Sequence, residues 1–132
     1  MNRAGVAYTD RIIAWASYHP ELFPEWIRSR IGEGGNIPAD VWAHQANPGV
    51  THIMEHEHPS GSSALLGARV ALRLGFQKVV LVGCPLDTEH YAVYQEGWKT
   101  LSKQLQGRVR SMSGWLGQYL GFPVRSWLEE MT

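Results

Sequence analysis

The spacing of hydrophobic and polar positions changes repeatedly along this chain. Arg11–Tyr18, RIIAWASY, is a short apolar run stopped by His19-Pro20, and it reads as a buried strand. In Pro20–Ile31, PELFPEWIRSRI, the apolar residues Leu22, Phe23, Trp26, Ile27 and Ile31 recur at helical spacing. GEGGNIPAD then interrupts the pattern as a glycine-rich loop. Val41–His44, VWAH, reads as a short strand, and GVTHIME as another after the NPG turn.

The second half alternates in the same way. From Ser62 to Leu74 nearly every residue favours a helix, with Gly75 placed to cap its end. KVVLVG, Lys78–Gly83, has the unbroken apolar character of a parallel strand buried on both faces. His90–Leu105 predicts a helix weakened by Gly97. Arg108–Met112 predicts a last strand, and GWLGQYL a short helix before FPVRSWLEEM. Strands alternating with helices imply an α/β fold with a short, mostly parallel sheet.

Length and composition narrow the class. A chain of 132 residues is expected to form one domain over 1–132. With 44% apolar and 18% charged residues it is globular in composition. Twelve basic residues balance twelve acidic ones, so the excess of cations that a sequence-independent nucleic-acid binder needs is absent. The single cysteine, Cys84, allows no internal disulfide and no cysteine-based zinc site. No stretch reaches the ~20 apolar residues of a membrane span, and MNRAGVAYTD lacks the apolar core of a signal peptide. The expectation is a cytoplasmic protein with neither a membrane nor a nucleic-acid partner. Six tryptophans serve first as core, although aromatic faces also stack on bases.

The densest chemistry lies in HIMEHEHPSGSSALLG. In an extended segment His52, Met54, His56 and His58 share one face, opposite Glu55 and Glu57. Imidazoles so aligned can chelate a transition metal, but no helical His-Glu-x-x-His motif accompanies them and Pro59 breaks the segment. No metal or other cofactor is assigned. The plain alternative is solvated loop histidines. The reading adopted is that His56 and His58 line an anion pocket.

That pocket centres on the turn that follows. Ser60 or Ser62 can cap the helix, and Gly61 admits a ligand close to the backbone. The first helical amides, at the positive pole of the dipole, then face outward. Such a helix start is suited to phosphate; an ordinary N-cap in a tight loop is the competing reading. A second Ser-Gly turn, Ser113-Gly114, ends the last predicted strand. Arg108 and Arg110 share one face of that strand and can fork onto phosphate or carboxylate, or simply sit in solvent. GCPLDTEHY follows a buried strand, so Asp87 and His90 are expected at the carboxyl edge where α/β folds bind ligands. Cys84 in that loop reads as a packed residue.

SGSSALLGARVALRLGFQKVVLVGCPLD resembles the signature of a Rossmann-like superfamily. That superfamily joins hydroxymethylpterin diphosphokinase-like proteins, motility accessory factors and bacterial sialyltransferases. NRAGV near the start, HPE at His19–Glu21 and RVRSMSGWLGQYLG near the end are most similar to its small phage-encoded members. The resemblance implies a Rossmann-like three-layer fold, with Ser60, Gly61, Ser62 and Ser63 facing phosphate. It places Asn2, Asp87 and His90 near a nucleoside or its substituent. Arg3 of NRAGV, His19 of HPE, Arg108, Arg110 and Ser113 join them as ligand-binding candidates. Full-length relatives carry a strand before the segment resembling NRAG, whereas this chain begins at Met1-Asn2. The sheet is therefore expected to lack its first strand, which makes a homo-oligomer the expected assembly.

Two functions follow from the resemblance. The first is a small phage-type protein that binds a nucleotide-derived anionic ligand without turnover, sequestering a host-defence signal in the cytoplasm of an infected bacterium. The second is a transferase or hydrolase acting on a nucleotide-linked sugar or pterin donor. In that case His56, His58 or His90 would be the acid–base residue.

Overall fold

Arginine 30 organises the first part of the chain. The structure, a computed structural model, describes residues 3–55, 62–87 and 89–130. The chain divides into two compact units, Met1–Glu57 and His58–Thr132.

In the first unit, α1 (Ala4–Ala7) precedes β1 (Ala14–Ala16), a 3-10 turn (Pro20–Leu22) and α2 (Phe23–Gly32). Two strands follow, β2 (Asp40–Ala43) and β3 (His52–Ile53). The three strands pair in parallel in the order β1-β2-β3, with Trp15 opposite Val41 and Trp42 opposite His52. One sheet face carries Trp15, Val41 and Ala43, which pack with Phe23 and Trp26 of α2. Trp15 meets Phe23 edge-on at 5.5 Å and stacks near-parallel to Trp26 at 6.1 Å, so two of the six tryptophans form this core.

The helical stripe is only partly as expected. Phe23 and Trp26 are buried, but Ile31 is 48% exposed, and Arg30 is 1% exposed in its place. A buried charge is tolerated when its donors are satisfied. Arg30 meets that condition fully. Its Nε donates to Asn36 O at 2.6 Å and Nη1 to Gly5 O at 2.8 Å and to Tyr8 O. Its Nη2 donates to Asp10 O at 2.8 Å and Asn36 Oδ1 at 2.7 Å. The guanidinium thus ties α1 and the following loop to α2. The Asn36 side chain adds to the seam, accepting from Ile12 N and donating to Ile12 O as a neighbouring strand would.

The second unit contains α3 (Ser63–Arg73), β4 (Val79–Leu81), a 3-10 turn (Glu89–Tyr91), α4 (Ala92–Thr100) and α5 (Ser102–Leu105). It continues through β5 (Val109–Ser111), α6 (Gly114–Leu120) and α7 (Arg125–Glu129). β4 and β5 form a parallel pair, with Val80 opposite Arg110. α3 ends as the sequence predicts. Gly75, at φ 97°, donates to Leu72 O while Phe76 N donates to Ala71 O, the paired bonds of a Schellman motif.

Two expectations change. The helix over 90–105 breaks after Thr100, at Leu101, while Gly97 lies buried inside α4. KVVLVG was expected to be buried on both faces, yet Val82 is 70% exposed and Val80 is exposed beside it. The helices cover only one side of that segment fully. The described chain is therefore mixed α/β with short parallel sheets. Among the described residues no helix is long and apolar enough to cross a membrane.

Candidate functional site

The carboxyl edge of the β4–β5 pair gathers three chain segments. α3 packs against β4 and reaches it through the short link 74–78, so its N-terminus lies toward the carboxyl end of β4. α6 starts at Gly114, two residues separating it from β5, at the same edge. The loop 82–87 leaves β4 between them. Ser62-Ser63, Asp87 and Ser113-Gly114 are thereby brought to one side of the sheet, where open α/β sheets hold ligands.

The two helix starts differ. At α3 the cap is local: Ser62 is the N-cap residue, and its Oγ accepts from Leu65 N at 3.3 Å. Ser62 and Ser63 are both half-buried, and the helix behind them is eleven residues long. At α6 the cap comes from elsewhere. Ser113 makes no side-chain cap hydrogen bond; instead Asp87 Oδ1 accepts from Trp115 N at 2.5 Å and Pro85 O from Leu116 N at 3.0 Å. The protein's own carboxylate thus occupies the position an anionic ligand would take at this helix. Gly114 makes the approach possible. It has φ 68°, and a Cβ there would lie 2.5 Å from Asp87 Oδ1 and overlap the Pro85 ring. Leu86, held at φ 54°, turns the loop inward, and its carbonyl accepts from Gln95 Nε2 at 2.8 Å.

Around this edge, Trp115 stacks on Tyr119 at 4.9 Å with an interplanar angle of 10°. Lys99 Nζ lies 5.8 Å from the Trp115 ring. Burial pushes the Cys84 thiol above its ordinary pKa, which keeps it protonated at neutral pH and unsuited to nucleophilic attack.

Of the other expected residues in this unit, Arg108 and Arg110 lie away from this edge. Arg108 stands before β5, at the opposite end of the strand, and is exposed. Arg110 is committed to packing: its Nη1 donates to Phe122 O at 2.9 Å and its Cζ lies 4.7 Å from the Trp127 ring. Neither is brought to the carboxyl edge, because a strand's residues keep their places along its length. Arg3 and His19 belong to the first unit. Arg3 is exposed at the start of α1, and His19 Nδ1 lies 3.5 Å from Glu21 Oε1 on the surface. Asn2, His56, His58, Ser60 and Gly61 lie outside the described residues, and for His90 only the backbone of its 3-10 turn is described.

The first unit holds a histidine arrangement of its own. His52 stacks on Trp42 at 4.6 Å, with Nδ1 2.7 Å from Thr51 Oγ1 and 3.6 Å from Asp40 Oδ1. Among the described residues no group of three or more His, Cys, Asp or Glu side chains could hold a metal ion. Sequence reasoning placed Gly114 in a turn but did not single out Pro85, Leu86 or Gln95. The Ser-Gly dipeptide was the only signal for Gly114, and nothing local to residue 115 pointed to Asp87.

Comparison with protein-family models, curated proteins and solved structures found no match to this chain.

Proposed function

We propose that this protein binds a nucleotide-derived anionic ligand at the carboxyl edge of β4 and β5, with a phosphate at the start of α3. The observation that carries the reading is the contrast between the two helix starts at that edge. α6 has its Trp115 and Leu116 amides taken by Asp87 and Pro85 from a distant loop, whereas at α3 Ser62 Oγ takes the Leu65 amide locally and the Ser62-Ser63 pair keeps partial exposure. The resemblance to Rossmann-like, phage-encoded proteins supports the same reading and suggests sequestration of a host-defence nucleotide without turnover. A half-buried Cys84, its thiol held protonated by that burial, supports binding over nucleophilic transfer.

Isothermal titration calorimetry against AMP, cyclic AMP and ADP-ribose tests this. At least one should bind, and Ser63→Asp should weaken it by about tenfold or more. An acidic residue in the first turn favours the helix but repels phosphate, so the loss would not reflect unfolding. No heat with any of the three, or equal binding by Ser63→Asp, would overturn the proposal. Mass spectrometry of the recovered ligand distinguishes the alternative: an unchanged mass supports sequestration, and a converted product supports a transferase or hydrolase.

A further inference from the structure

Leu86 stands between two clamped peptide groups. It is 6% exposed, and its φ of 54° lies in the left-handed region that an aliphatic side chain rarely adopts. The peptide group before it is held through Pro85 O, which accepts from Leu116 N of α6 at 3.0 Å. The peptide group after it is held through Leu86 O, which accepts from Gln95 Nε2 of α4 at 2.8 Å. Two helices therefore fix one loop residue, one on each side of it, in a conformation it would otherwise leave.

The second clamp bears directly on Asp87. Leu86 O and Asp87 N belong to one planar peptide group, so holding that oxygen sets the direction in which Asp87 leaves the main chain. Asp87 is exposed, which leaves its aim to the main chain rather than to packing. Its carboxylate nevertheless meets Trp115 N at 2.5 Å. Without the Gln95 donor, relaxation of Leu86 to negative φ would turn the 86–87 peptide and carry the carboxylate away from α6.

We infer that Gln95 is a positioning residue of the carboxyl-edge site. It keeps the Asp87 charge on α6, and so keeps that charge off a phosphate held at the start of α3. The effect on phosphate rests on the binding function proposed above, whereas the aim of Asp87 depends on the loop alone. A freed carboxylate and an anionic ligand at one sheet edge repel each other, and the repulsion lowers affinity without disturbing the fold.

Two measurements on the full chain test this, with Gln95→Met, which keeps the length of the side chain and removes its donor. In proton–nitrogen NMR spectra the Trp115 amide, bonded to a carboxylate, should resonate far downfield. Gln95→Met should move that resonance upfield, towards its position in Asp87→Ala, although residue 95 is not its partner. An unmoved Trp115 resonance would overturn the inference. In calorimetry, whichever of AMP, cyclic AMP and ADP-ribose binds the parent should bind Gln95→Met about fivefold more weakly. Adding Asp87→Asn to Gln95→Met should restore the parent affinity, because no charge is then set free; a purely structural loss would not be rescued in this way. Equal binding by Gln95→Met and the parent, or no rescue by Asp87→Asn, would overturn the inference. A shifted Trp115 resonance in a protein that binds none of the three would support the positioning by Gln95 and overturn the binding function instead.

Discussion

The Asp87 carboxylate holds the Trp115 amide at 2.5 Å across 28 positions of sequence, closing the loop after β4 onto the helix after β5. The bond links two connections that share no local sequence. Removing the acceptor in Asp87→Ala should lower stability by about 1–2 kcal/mol, the usual cost of a lost charged cap. Urea denaturation measures it.

Gly114→Ala should cost more, about 2–4 kcal/mol, because the added methyl is strained at positive φ and collides with Asp87 and Pro85. The double variant should fall short of the sum of the two. Removing the Asp87 carboxylate relieves part of the collision, so a sub-additive cycle is the expected result.

Arg30→Met should destabilise the first unit by about 3–5 kcal/mol, since it leaves the carbonyls of Gly5, Tyr8, Asp10 and Asn36 without their donor. Arg30→Lys should be nearly as damaging. An ammonium has three donors and cannot reproduce the planar fork. Guanidinium unfolding followed by Trp15 and Trp26 fluorescence would read both.

Cys84 should react slowly with iodoacetamide at neutral pH in the folded protein and quickly after unfolding, because burial raises its pKa. The sign for stability follows. The contribution of the protonated thiol is intact below the ordinary thiol pKa and is lost as pH rises through the raised, folded value. Stability should therefore decline on the alkaline side, and Cys84→Ser should flatten that decline.

Lys78→Met should leave the carbonyls at the end of α7 without their donor and release the helix locally. Faster amide exchange over residues 125–130, with protection in α3 unchanged, is the expected pattern.

Legibility in the sequence followed the range of the interactions. The Schellman turn at Gly75 and the Ser62 cap were readable because their partners lie within six residues. The parallel character of the strands was readable from apolar runs alternating with helical spacing. Arg30 was not, since its inward position depends on carbonyls at 5, 8 and 10 that only the folded chain delivers. Arg108 and Arg110 share a face of β5 as alternation requires, but periodicity says nothing of which end of a strand a side chain serves. The Ser113 turn did begin a helix. Its cap, however, was supplied by Asp87, and a long-range acceptor leaves no mark beside the helix it caps.

The Arg30 seam also differs in kind from the Asp87 cap. Every acceptor around its guanidinium is an amide oxygen, four from the main chain and one from the Asn36 side chain. The four main-chain oxygens survive any side-chain substitution, whereas the Asp87 acceptor is lost with its own side chain. Tyr8 and Asp10 can therefore change identity without loosening the anchorage of α1, and within these hydrogen bonds only Arg30 and Asn36 must keep theirs.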